Sequence, residues 1–291
     1  MQYKPHDYQK FAVDFIETHP QAAVLLECGL GKTSITLTAL NDMMFDRFEV
    51  RKVLIIAPIR VCKNSWAAEI SKWDHLKGLT YSLVLGNREQ RLAALREKAD
   101  LYIINRENVQ WLIESSGMSF DFDMVVIDEL SSFKNHQSKR FKALRKVRPF
   151  VKRIVGLTGT PCSNGLMDLW AQFRLLDKGE RLGKRIGQYR DVYFTPDWNG
   201  FTYSPRPGAE KQIYGKIADI SISMKTADRL KMPELVMTAD SVELDEAAAT
   251  VYKDMEQDMC LDFTRDSITA ANAGVLCGKL TQLASGSVYT D

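Results

Sequence analysis

From about residue 6 to residue 175 the chain alternates short apolar runs with segments in which apolar residues recur every three or four positions. The apolar runs predict strands over 22–27, 52–57, 81–85, 101–104, 124–128 and 153–157. Most are rich in valine, isoleucine and leucine without polar–apolar alternation, the pattern of parallel strands covered on both faces. The periodic segments predict helices over 8–17, 33–44, 62–73, 88–98, 107–113, 138–147 and 166–176. Strand and helix in turn predict an α/β domain over 1–176, a doubly wound parallel sheet with right-handed crossovers. Ligands in such a sheet bind at the carboxyl ends of its strands.

The pattern changes after residue 176. Residues 177–233 carry many glycines, prolines, charges and aromatics, among them Tyr189, Tyr193, Phe194, Trp198, Phe201 and Tyr203. They predict an irregular, partly helical lobe, either facing a substrate or packed on its own domain. A strand over 235–242 and an amphipathic helix over 245–263 are expected to open a second domain. Residues 234–291 are too few to complete one of the same size.

Composition narrows the class. Hydrophobic content of 45% and charged content of 26% are ordinary for a soluble globular protein. The formal net charge of +2 is nearly balanced, so a nucleic-acid site has to be a local patch. The five cysteines are scattered without a C-x-x-C spacing, which argues against a disulfide framework or a zinc site and for reduced thiols in the cytoplasm. No apolar stretch has the length of a signal peptide or membrane span.

The chemistry concentrates at predicted strand ends. Gly29-Leu30-Gly31-Lys32-Thr33-Ser34 follows the run Ala22-Ala23-Val24-Leu25-Leu26 and opens a helical pattern. A strand leading through glycines into a helix makes a phosphate cradle of backbone N–H groups at a positive helix end. Lys32 then reaches the β- and γ-phosphates, and the Thr33 hydroxyl ligates Mg²⁺. The full pattern G-x-x-x-x-G-K-[ST] asks for glycine where Leu26 stands. A second strand delivers Asp128 and Glu129, expected to hold Mg²⁺ through water and to orient the attacking water. A third ends in Thr158-Gly159-Thr160-Pro161, a turn suited to sensing a γ-phosphate. Lys134, Lys139, Lys142, Arg145 and Lys146 form a basic stripe, either a DNA-phosphate contact or a solvated helix face. Trp66 and Trp73, at helical spacing with Ile70, are expected in the core.

In this order, Gln9, G-L-G-K-T, Ala57-Pro58, Asp128-Glu129 and L-T-G-T-P resemble the first RecA-like domain of a superfamily 2 helicase. More narrowly, Asn64-Ser65-Trp66, Glu69-Ile70-Ser71-Lys72-Trp73, Lys134-Asn135 and Asn164-Gly165-Leu166 resemble the Swi/Snf-like DNA translocases, in particular their small phage- or prophage-borne members. The resemblance implies a P-loop NTPase that uses ATP and Mg²⁺ to move along double-stranded DNA. It implies adenine recognition by Gln9 with Tyr8 beside it, and triphosphate binding by Gly29, Leu30, Gly31, Lys32, Thr33 and Ser34. Hydrolysis falls to Asp128 and Glu129, and coupling to Thr158, Gly159 and Thr160. Pro58, Asn105 and Arg106, with Lys134 and Lys139, match segments that touch DNA.

Departures accompany the match. Ser131 stands where many relatives carry histidine, and these residues contain no downstream Q-x-x-G-R-x-x-R run, the source of arginine fingers in a second RecA-like domain. The chain is therefore expected to be the front half of a translocase that needs that second domain or a protein partner. A strand-separating helicase or restriction-type motor subunit uses the same fold. A nucleotide-sensing binding module without turnover would keep the loop and dispense with the acids.

Overall fold

The computed structural model describes residues 1–162, 165–198, 200, 202–229, 241–262, 267–269 and 273–289. Two compact units divide the chain, Met1–Met232 and Pro233–Asp291.

The first unit is built on parallel strands: β1 (Gln21–Leu26), β2 (Val53–Ala57), β3 (Tyr81–Val84), β4 (Leu101–Asn105), β5 (Met124–Asp128) and β6 (Arg153–Leu157). α1 (Asp7–Thr18) precedes them, α2 (Lys32–Asn41), α3 (Ile59–Val61), α4 (Ala67–Lys72), α5 (Arg88–Arg96), α6 (Val109–Glu114) and α7 (Lys139–Val147) run between them, and α8 (Met167–Leu176) follows β6. After α8 come α9 (Ile186–Tyr193), an antiparallel hairpin of β7 (Phe194–Pro196) and β8 (Tyr203–Pro205), and α10 (Ala209–Ile217). The chain then returns to the sheet as β9 (Ser221–Met224), followed by α11 (Thr226–Arg229).

Among the described residues the sheet has seven strands in the order β3-β4-β2-β5-β6-β1-β9, all parallel. This is the RecA-like architecture. The missing alternation in the strand sequences has a direct cause. Leu54 and Ile56 of β2 and Val125 and Ile127 of β5 join one core with α6, α7 and α8. Val53, Ile55 and Ala57, with Met124 and Val126, join a second core with α1, α2 and Trp66 on the opposite face. In β2 every position is buried, as is every position of β5 before Asp128, and apolar residues fill them.

β9 has no counterpart among the predicted strands. Among the described residues it pairs only with β1, from Ala23↔Ser221 to Leu26↔Met224, and its residues alternate between half-buried and exposed serines and buried Ile222 and Met224. Two apolar positions on an edge strand are too few to stand out from the surrounding lobe. The helices predicted over 33–44 and 62–73 also carry interruptions, π-helical segments at Asp42–Asp46 and Cys62–Trp66.

The second unit contains α12 (Glu246–Asp258), β10 (Cys260–Asp262) paired antiparallel with β11 (Ser267–Thr269), and α13 (Ala273–Ala284). Asp245 caps α12 by accepting from the Ala248 N–H at 2.7 Å. Met255 and Ile268 are buried against Val251, Leu276, Leu280 and Leu283. The helix expected over 245–263 therefore stops at Asp258, where Met259 turns into the left-handed region and a strand follows. The strand expected over 235–242 falls mostly on residues outside those described, as do Asn164 and Phe201.

A buried arginine fastens the end of α8 beneath the sheet. Arg148, 2% exposed, donates through Nε to the Leu175 carbonyl at 2.7 Å, Nη2 to Leu176 at 2.6 Å and Nη1 to Val151 at 2.9 Å. These satisfy carbonyls that a helix terminus leaves open. Burial lowers the guanidinium pKa to about 10, opposed by the charge of nearby Asp177, so it remains a cation at neutral pH. Arg148→Met is expected to cost about 3–5 kcal/mol, because it orphans three buried carbonyl acceptors. Urea unfolding followed by circular dichroism measures it; a loss below 1 kcal/mol would contradict the clamp.

Candidate nucleotide site

Register sets the geometry at the carboxyl edge. Asp128 lies level with Leu157, and Leu157 level with Val24, so β5, β6 and β1 end close to flush. The next residues along each strand, Glu129, Thr158 and the loop beyond Leu26, therefore emerge side by side.

The phosphate loop is preshaped. Gly31 caps α2 at φ 79°, a left-handed conformation that requires glycine, and Gln9 Nε2 would lie 2.6 Å from a Cβ there. Tyr8 OH and Gln9 Nε2 each donate to the Leu30 carbonyl at 3.4 Å, tying the loop to α1. Ser34 Oγ donates to the Gly31 carbonyl at 3.0 Å. Lys32 folds back, its ammonium donating to the carbonyls of Leu26 at 2.8 Å and Glu27 at 3.2 Å. On the far side the Glu27 carboxylate accepts from the Thr226 N–H at 2.8 Å, which lowers its pKa and pins the loop to the end of β9. The loop opens on a cleft of about 730 Å³ lined by Gly29, Gly31, Lys32, Thr33 and Ser34, by Gln9 of α1, and by Asn64, Ser65 and Glu69 opposite.

Asp128 and Glu129 are not in that lining. Asp128 is linked to it by Lys32, whose charge acts on its carboxylate, and the buried Trp66 indole Nε1 donates to Asp128 Oδ2 at 2.9 Å. Burial raises the Asp128 pKa above the ordinary carboxylate range, with the indole bond opposing it and Glu129 adding to it. Trp66 is fully buried, as its spacing suggested, but its single polar atom is aimed at the acid pair. Apolar periodicity reveals burial and is silent about where an indole N–H goes.

Glu129 sits at φ 66°, in the left-handed region that non-glycine residues avoid. Such strain costs roughly 1–2 kcal/mol and persists where surrounding contacts fix it. Here Glu129 Oε1 accepts from Thr158 Oγ1 at 2.6 Å and from Ser131 Oγ. Thr158 Oγ1 in turn accepts from the Thr160 N–H at 3.2 Å, and the Thr158 N–H donates to Val24 at 3.2 Å. The serine thus makes the direct bond to Glu129, and the threonine turn is joined to the acid and to β1. Gly156 lets Leu130 approach: a Cβ there would lie 2.6 Å from Leu130 Cδ2.

The residues matched to DNA contacts divide. Pro58 caps α3 beyond β2. Asn105 is buried, donating to Glu107 Oε2 at 3.0 Å and accepting from Asn108 Nδ2 at 2.5 Å, so it shapes the turn after β4. Arg106 pairs with Glu107 at 2.8 Å, and Lys134 with Asp168 at 3.4 Å. Lys139 is exposed beside Arg140, Glu107 and Gln110, around a hollow of about 330 Å³. Glu107, one position after the arginine in sequence, is the signal that could have shown the local pairing.

Comparison with known proteins decides the family. The SNF2-related domain family matches residues 8–185, more than half of the chain. The chain belongs to the SNF2-related family. Among the relatives of this SNF2-related chain, protein p41 of Acyrthosiphon pisum secondary endosymbiont phage 1 is 32% identical over 99% of the chain and 65% of its own length. DNA excision repair protein ERCC-6-like of Mus musculus is 31% identical over 66% of the chain and 16% of its own length. The chain thus spans less than two thirds of either relative. The Sulfolobus solfataricus SWI2/SNF2 ATPase core, solved in complex with double-stranded DNA, superposes with a TM-score of 0.64 at 22% identity, over 98% of this chain and 58% of that one. That likeness carries the fold. The SNF2-related match runs from Tyr8 through the phosphate loop, the acid pair and the threonine turn, and ends before the β7–β8 hairpin and β9.

Proposed function

We propose that this chain is the ATP-binding part of a motor that couples ATP hydrolysis to movement along double-stranded DNA in the cytoplasm. One observation carries the reading: the strained carboxylate of Glu129 is bonded to the Thr158 turn, while the neighbouring Asp128 feels the charge of the phosphate-loop lysine. A binding module that merely senses nucleotide needs no such set.

The residues fit ATP and magnesium. Lys32 already satisfies carbonyl acceptors in its own loop, and exchanging those for β- and γ-phosphate oxygens keeps its donors paired. The N-terminus of α2 and the N–H groups around Gly29 and Gly31 cradle the phosphates. Thr33 and Asp128 offer a hydroxyl and a carboxylate, hard oxygen donors of the kind Mg²⁺ takes. Bound there, Mg²⁺ would neutralise charge on the β- and γ-phosphate oxygens. Gln9, anchored on the loop and lining the cleft, would read the adenine, with Tyr8 beside it. Glu129 holds and deprotonates the attacking water, and its bonds to Ser131 and Thr158 make the Thr158–Thr160 turn sensitive to the γ-phosphate.

Duplex DNA would lie along the carboxyl-edge turns beyond β2, β4 and β5, with exposed Lys139 toward its phosphates. A second RecA-like half bearing arginine fingers would raise turnover by about a thousandfold or more, so the chain alone is expected to be slow. Steady-state ATP turnover at low salt, with and without duplex DNA, tests the reading. Turnover should rise with duplex and fall as salt increases, and a labelled strand should stay paired throughout. Strand release would favour a helicase, and absence of any DNA stimulation, with the second half supplied, would overturn the motor.

A further inference from the structure

We propose that Trp66 is a positioning residue for Asp128: its indole N–H fixes one carboxylate oxygen so that the other is presented to magnesium. The inference rests on the ATP-site reading above and adds to it a residue from a different strand–helix crossover.

Three observations converge on it. Trp66 is fully buried, and its only polar atom reaches Asp128 Oδ2 at 2.9 Å across 62 positions of sequence. It closes the π-helical segment Cys62–Trp66, between α3 and α4. A π-turn is rare and recurs at functional sites. The same segment is pinned at its start, because buried Cys62 donates through Sγ to the Ala57 carbonyl at the end of β2. Since β2 pairs with β5 up to Ile56↔Ile127, that pin carries the indole on the strand next to the acid.

The chemistry of the donor suits the task. An indole donates and does not accept, so it cannot compete for the cation. It is neutral, so the carboxylate keeps its full charge for the metal, which an arginine or lysine in that place would offset. Buried beside the strand, it cannot be swept off by solvent as a water would be. The Glu129 backbone N–H also engages the carboxylate, and with Oδ2 held by the indole the remaining lone pairs of Oδ1 are left for the magnesium hydration shell. Outer partners that orient a metal-binding carboxylate typically govern about ten- to hundredfold in metal affinity.

The test is Trp66→Phe in this chain, with binding of a fluorescent non-hydrolysable ATP analogue followed as Mg²⁺ is titrated. The variant should need about tenfold more Mg²⁺ for half-maximal binding, while its affinity for the analogue in EDTA stays within twofold of wild type. An unchanged Mg²⁺ midpoint would overturn the assignment. If the variant fails to fold, the wild type decides through its tryptophan indole N–H resonances. The Trp66 resonance, assigned by specific labelling, should move on Asp128→Asn and again on adding Mg²⁺ with the analogue. A resonance indifferent to both would overturn the proposal. Wild-type binding that ignores Mg²⁺ altogether would remove the ATP-site reading itself, and this inference with it, whereas Mg²⁺-dependent wild-type binding with an unchanged Trp66→Phe midpoint removes only the inference.

Discussion

Glu129→Gln is expected to lower ATP turnover by about two to four orders of magnitude while leaving nucleotide affinity within a few fold. The substitution is nearly isosteric, and the amide oxygen can still accept from Thr158 Oγ1 and Ser131 Oγ, so the strained backbone at φ 66° keeps its anchors. What disappears is the charge that takes the proton of the attacking water. Binding is governed by the phosphate loop, which contacts Glu129 only indirectly. Single-turnover hydrolysis with a second RecA-like half supplied, beside equilibrium binding of a fluorescent analogue, separates the two. Turnover within tenfold of wild type would remove Glu129 from the chemistry.

The second large effect belongs to Lys32. Lys32→Ala should weaken ATP binding about ten- to hundredfold, the loss of charge-assisted bonds each contributing about 1.5–3 kcal/mol. Fold stability should change little, within about 1 kcal/mol, because the ammonium lies at a partly exposed loop whose shape is also held by Tyr8, Gln9 and Ser34. Equilibrium binding with a parallel urea unfolding curve makes the distinction. A variant that binds ATP as tightly as wild type would mean that the lysine is committed to the carbonyls of Leu26 and Glu27 and takes no part in binding.

The two variants also illuminate what the sequence reveals and what it hides. Strands β1, β2, β4, β5 and β6 stand out because both faces are covered, leaving uninterrupted apolar runs such as Val53-Leu54-Ile55-Ile56-Ala57. Their order with intervening helices is enough to infer the sheet and its working edge. β9 escapes because half of its residues are serines on a sheet edge. The glycines and the acid pair are legible because residue type alone marks them, glycine at the positive-φ turns and adjacent acids at a strand end.

What stays hidden depends on direction rather than type. The left-handed backbone at Glu129 places a non-glycine where residue preference argues against it. The π-turn at Cys62–Trp66 breaks a helical period without any proline or glycine to announce it. Arg148 is exposed by every compositional expectation, yet it is buried because three carbonyls near the end of α8 and after α7 need a donor. Asn105 and Arg106 match DNA-contacting positions, but Asn108 and Glu107 take up much of their bonding capacity, which shifts expected phosphate contact toward exposed Lys139.

Among the described residues no helix is long and apolar enough to cross a membrane. The central claim is local: the glycine loop after β1 and the acids after β5 meet on one magnesium-bound triphosphate. A crystal structure of the chain with a non-hydrolysable ATP analogue and Mg²⁺ tests it most directly. The account predicts the γ-phosphate between Lys32 and Glu129, with the metal shared by Thr33 and the hydration shell at Asp128. Analogue density elsewhere, or a metal remote from Asp128, would contradict it.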